Sequence, residues 1–334
     1  MTPADRPAGV GLSGDPRSGG AGGAAGAASA ARAERRLAEI GVLVVMVFWA
    51  ANFIVVKDVL RLMPPVGFTF LRYALAAIAL VLYLRWSEGA LRWPHGGWRI
   101  LLLGGLGFGL YQILWTVGLQ TTSAGDSALL IAATPVFTAI VAVAIGTDTI
   151  TPLKAAGVVA SFIGVALVIA AGVGIELSGD PVGFVLTLTA AFCWAAYTAL
   201  GARVLRRHSP LVLTAWATIG GTIVLAPIGV AQLAAPGAVL ATTTGDWIGV
   251  AFAIAFSGLL AAALANVVVF HGVRLVGPTR ITTLQALVPA MAVVLAFFLL
   301  AEPIRPVQVL GGVVIVLGVA MTRRASAGVG VARR

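Results

Sequence analysis

The sequence predicts an all-α polytopic membrane protein whose ten transmembrane helices form two inverted five-helix repeats. Three observations predict it: a composition too apolar for a soluble globule, ten apolar runs of near-spanning length, and a second half that repeats the first in register. Of 334 residues, 60% are hydrophobic and 10% charged, with a mean hydropathy of +1.02. Soluble domains carry roughly 25% charged residues, so too little polar surface remains here to cover a soluble enzyme. The net charge of +10 sits in short basic clusters between apolar runs. That is the pattern of cytoplasmic membrane loops and not of a nucleic-acid surface, so the expected environment is the lipid bilayer and no nucleic-acid partner is expected. Cys193 is the single cysteine and lies within an apolar run, so no intramolecular disulfide can form.

Taken in order, residues 1–36 come first: eight glycines in the first 31, repeated Ala and Ser, and no apolar run suited to a signal peptide. A disordered cytoplasmic tail is expected there, and Arg32, Arg35 and Arg36 beside the first span should hold that end inside. The apolar runs then fall at 40–56, 66–84, 100–119, 127–145, 155–173, 182–200, 211–233, 247–270, 281–300 and 307–321. They are continuous and do not alternate, which excludes transmembrane barrel strands of ~10 residues. A short cytoplasmic tail, 324–334, closes the chain.

Charge placement tests the count. With the N-terminus inside, 18 of the 22 Lys and Arg residues fall on inner segments, while the outer loops hold only Lys57, Arg61 and Arg305. Arg72 alone lies within a span. The asymmetry supports ten spans and two cytoplasmic termini.

The halves repeat. At an offset of 154 residues, Pro135 matches Pro289, Asp148 matches Glu302, Pro152 matches Pro306, Gly157 matches Gly311 and Gly164 matches Gly318. Earlier in each half the offset is 145, pairing Trp49-Ala50-Ala51 with Trp194-Ala195-Ala196. The units are 37–173 and 174–323, and five helices per unit, an odd number, force opposite orientations. Inverted repeats are an architecture of secondary transporters, in which two oppositely oriented halves expose one central site to either side in turn.

The run Phe48-Trp49-Ala50-Ala51-Asn52-Phe53 with Lys57, then Pro65 with Phe70, Arg72 and Tyr73, the Pro135 and Pro289 helices ending near an acid, and Gly157 with Gly164 together resemble the EamA family of the drug/metabolite transporter superfamily. The resemblance covers residues 40–323, and one departure from it is Asp148, where Glu is usual. It implies a multi-pass inner-membrane carrier that exports amino acids or related small metabolites, with a cavity lined by helices 1, 3, 4, 6, 8 and 9. The rival reading is a polytopic membrane enzyme, or a flippase, acting on a lipid-linked substrate. No enzymatic activity, cofactor or metal is expected, and a homodimer is left open.

Site candidates follow from position. Trp49 and Asn52 share a helix face near mid-span, suited to stacking and orienting a small solute, or else to helix packing. Trp194 and Tyr197 occupy the matching positions of the second unit. Tyr111 with Trp115, and Gln112 with Thr116, form adjacent lines on the third helix, although Trp115 could instead join an interfacial belt. Gly105 and Gly109, just before them, read as packing. Arg72 lies about 10 Å along its helix from Pro65. It is either structural or a contact for an anionic solute, with Asp126 as a candidate partner. Asp126 itself reads as a helix cap.

Pro135 and Pro289, read as hinges, each stand eight residues into a helix and free the carbonyls of Ile131 and Gln285, and Gln285 joins the solute-contact set. Asp148 and Glu302 are expected in loop and capping roles, and His271 at an interface.

Overall fold

A computed structural model describes residues 20–89, 92–146, 149–173, 181–204, 207–276, 284–285 and 287–332. Among these the chain is helical and contains no strand. The helices are α1 (Gly20–Val59), α2 (Pro65–Glu88), α3 (Gly97–Thr121), α4 (Ala124–Ala144), α5 (Pro152–Val173), α6 (Val182–Val204), α7 (Pro210–Ala234), α8 (Thr244–Gly272), α9 (Leu287–Leu300) and α10 (Pro306–Ala332). Eight of them, α1 to α8, are long and apolar enough to cross a membrane. The apolar stretches of α9 and α10, Leu287–Leu300 and Pro306–Thr322, are shorter. Large apolar side chains such as Leu82, Phe252 and Phe298 stay exposed, as expected when lipid is the solvent. The chain is already helical at Gly20, the first described residue, inside the stretch expected to be disordered; that segment is rich in Ala, the strongest helix former.

Local chemistry sets the ends. Ser209 caps α7 by accepting from Val212, and Thr243 with Asp246 forms a reciprocal capping box on α8. Pro152 and Pro306 open α5 and α10, where a missing N–H costs nothing. Asp148 lies outside the described residues.

Among the described residues three helices are interrupted. Helix α3 passes through π turns at Gly105–Leu110, and α8 does so at Phe256–Leu264. Helix α4 breaks at Ala132 and Ala133, just before Pro135. Such irregular turns inside helices recur at functional sites.

Glycines allow backbones to meet. A β-carbon on Gly157 would stand 2.6 Å from the Gly318 carbonyl, and one on Gly164 would stand 2.6 Å from that of Gly311, so α5 and α10 cross in direct backbone contact. On α3, Gly104 faces the Ala217 carbonyl of α7 and Gly109 faces Val224, which makes the Gly105/Gly109 segment a packing face. On α8, Gly258 faces the Arg72 carbonyl of α2.

Candidate solute-binding cavity

A cavity of about 620 Å³ lies between the helices. Ten of the eleven residues singled out from sequence line it: Trp49 and Asn52 on α1, Arg72 on α2, Tyr111, Gln112 and Trp115 on α3, Pro135 on α4, Trp194 on α6, and Gln285 with Pro289 at the start of α9. They arrive there because the three-residue spacing on α1, and the spacing of three and four on α3, turn each set onto one helix face.

The eleventh, Tyr197, does not line the cavity. Its ring packs behind the wall, 5.1 Å from Phe108 and 5.2 Å from Trp194, with its hydroxyl unpartnered among the described residues. Its position three residues beyond Trp194 places the two on neighbouring parts of one face, but Phe108, which its ring packs against, lines the cavity and Tyr197 does not. A small residue beneath makes this possible: a β-carbon on Gly107 would collide with the Tyr197 ring.

Aromatic rings form much of the wall. Tyr111 stacks parallel to Trp115 at 6.5 Å and lies 5.3 Å from Trp194. Trp115 is buried, edge-on to Phe53 at 5.3 Å, and its indole donates to Ser127 at 3.1 Å. It therefore belongs to the interior and not to an interfacial belt. The Trp49 indole donates to the Ala261 carbonyl at 2.9 Å, tying α1 to the π turns of α8.

Polar groups form one connected chain. Arg72, only 2% exposed, donates through Nη1 to Ser257 and through Nη2 to Gln112 Oε1 at 2.5 Å. Ser257 donates onward to Asn52 Oδ1 at 2.6 Å, and Gln112 Nε2 donates to the Tyr73 hydroxyl at 2.7 Å. The guanidinium also lies 5.2 to 5.5 Å from the rings of Phe68, Tyr73 and Trp115. Asp126 is not its partner: it accepts from Gln308 Nε2 at 2.9 Å, and its own N–H is capped by Ser123. The sequence singled out neither Ser257 nor Gln308, because one serine or glutamine in an apolar helix carries no periodic signal.

Both prolines expected as hinges lie early in a described helical segment. Pro135 follows the α4 break, and the Thr134 hydroxyl donates to the freed Ile131 carbonyl at 2.6 Å. Pro289 is the third residue of α9 as described; Leu284 and Gln285 ahead of it are helical too, and part of the stretch over which eight preceding residues were expected lies outside the described residues.

One end of the cavity is cross-linked. Lys57 Nζ donates to the carbonyls of Leu119 at 2.7 Å, Gln120 at 3.3 Å and Thr122 at 2.6 Å, joining α1 to the end of α3. Glu302 accepts from the N–H groups of Ala124 at 2.9 Å and Gly125 at 3.2 Å, joining the end of α9 to the start of α4. Ala301, at φ 55°, makes the turn that brings Glu302 there. The lining extends the other way, through Val316 and Ala320 of α10 to Arg324. His271 is exposed near the end of α8.

The EamA-like transporter family matches residues 36–170 and 181–324. A protein of Archaeoglobus fulgidus named an uncharacterized transporter is 29% identical over 280 residues, covering 83% of this chain and 94% of its own. A Salmonella typhimurium protein named a probable amino-acid metabolite efflux pump is 28% identical over 291 residues, covering 83% and 91%. A solved structure, titled only as the crystal structure of a protein, superposes with a TM-score of 0.60 at 17% identity, covering 87% of this chain and 99% of that one. That likeness concerns the fold alone.

Proposed function

Because this chain belongs to the EamA-like transporter family, we propose that it is a secondary carrier exporting amino acids or related small metabolites from the cell by alternating access. The observation that carries the proposal is the convergence of Trp49, Asn52, Arg72, Gln112, Trp115 and Trp194 on one cavity. A pocket that is mainly apolar, with seven aromatic side chains and a few convergent polar groups, suits a small organic solute. The relative named an amino-acid metabolite efflux pump points to the solute class.

Ten spans in two inverted halves, 37–173 and 174–323, between cytoplasmic tails in the inner membrane complete the reading. Its support is reciprocal packing. Gly157 meets Gly318 while Gly164 meets Gly311, and the offset of 154 exchanges one contact with the other. The same offset carries Gly104 onto Gly258, and the offset of 145 carries Ala217 onto Arg72, so the α3–α7 and α2–α8 contacts are also counterparts. The third helix of each half carries the π turns. In this orientation the Lys57 and Glu302 cross-links lie on the outer side, and Pro135 and Pro289 are the bending points.

The test is transport by the purified chain in proteoliposomes. Labelled amino acids or their derivatives should move down their gradient only in vesicles containing the protein. Lack of flux for amino acids, nucleosides, sugars and cationic drugs alike would refute the reading.

A further inference from the structure

The cavity wall holds a buried cation and no anion. Arg72 is 2% exposed, yet among the described residues its only hydrogen-bond acceptors are the neutral Ser257 hydroxyl and Gln112 amide. Its Nε has no acceptor there. No carboxylate lies within ion-pair distance of it among the described residues. None of the described lining residues is acidic, and the second basic one is Arg324. A charge buried without a counter-charge is costly. A guanidinium carries five N–H donors, and two neutral acceptors leave that capacity largely unused. The repeat counterpart, Ala217, carries no charge, so this cation is a property of one half alone.

From this geometry we infer, resting on the transport reading above, that the solute carries a carboxylate bound at Arg72 and an apolar or aromatic body held by Trp49, Tyr111 and Trp194. A planar carboxylate matches the guanidinium fork. One guanidinium neutralises a single negative charge, which favours a monocarboxylate over a phosphate dianion. A solute whose only charge is a cation meets the Arg72 charge with no carboxylate on the described wall to offset the repulsion, so the site favours the anion.

The experiment measures binding of one phenyl series to the full-length protein in detergent, by isothermal titration. N-acetylphenylalanine supplies the anion, phenylalanine amide the cation and N-acetylphenylalanine amide the neutral body. The carboxylate should bind at least about tenfold more tightly than either amide. Arg72→Gln should abolish that preference, and Arg72→Lys, which keeps the charge, should restore part of it. If Arg72→Gln does not fold, the wild-type series decides alone. Equal binding across the series, preference for the cation, absence of carboxylate binding, or preserved selectivity in Arg72→Gln overturns the inference. Flux in proteoliposomes separates the two readings. Carboxylate binding without transport keeps the anion site and removes the carrier, whereas transport of the cation or neutral compound alone does the reverse.

Discussion

Gly258 of α8 abuts the backbone of Arg72 on α2: a β-carbon at Gly258 would stand 2.6 Å from the Arg72 carbonyl oxygen. This approach brings Ser257, the neighbour of Gly258, onto the guanidinium. The cavity's cation is thus positioned by a residue with no side chain.

Replacing Gly258 by Ala should therefore force α2 and α8 apart at a cost of about 1–3 kcal/mol. Thermal melting in detergent should show a clear drop, and carboxylate binding should weaken. Gly249 on the same helix has nothing within 4 Å of its β-carbon position. Gly249→Ala should leave melting near wild type or raise it slightly, and an equal loss in both variants would dismiss the contact.

Trp194→Ala should weaken solute binding several-fold, since an aromatic pairing contributes about 0.5–1.5 kcal/mol beyond burial. Trp49→Ala should do the same and also release the indole bond to Ala261. Trp49→Phe should recover most of the affinity but not all of the melting temperature. Titration and melting of the three variants separate contact from tether.

At the α4 break, Pro135→Ala supplies the amide that the Ile131 carbonyl lacks. The stiffened helix should lower the maximal transport rate while leaving the apparent affinity nearly unchanged. Thr134→Val removes the hydroxyl that satisfies Ile131. It should cost about 1 kcal/mol of stability. Unaltered turnover in Pro135→Ala would reduce this proline to a packing feature.

The cross-links at the Lys57 end should hold that side shut. On a Cys193→Ala background, a cysteine at Ala128 should be labelled slowly from outside by an impermeant maleimide. Lys57→Met and Glu302→Gln should each speed labelling several-fold, because one severs three carbonyl bonds and the other weakens two N–H bonds. Rates equal to the parent would assign the closure elsewhere.

Orientation has its own test on the same background. The exposed positions Ala235, after α7, and Ser87, at the end of α2, fall on opposite sides of the membrane in the ten-span reading. A cysteine at Ala235 should react from outside intact cells, and one at Ser87 only after permeabilisation. The reverse pattern would invert the topology.

The sequence by itself determined the helical class and ten of the residues that line the cavity. Apolar length and basic clusters are local quantities, and a three-residue spacing places Trp49 and Asn52 on one face whatever the helix packs against. The matched glycines and prolines were readable for the same reason, since they recur at a constant offset along the chain.

Tertiary structure alone decided which polar groups meet. Ser257 lies 185 residues from Arg72, and Gln308 lies 182 from Asp126. No periodicity links positions so far apart. Packing also withdrew Tyr197 behind Phe108, although the repeat aligned it with Asn52. Helical phase selects a face, but the depth of a side chain depends on the neighbouring helix, and here Gly107 opens the space that takes the Tyr197 ring out of the cavity.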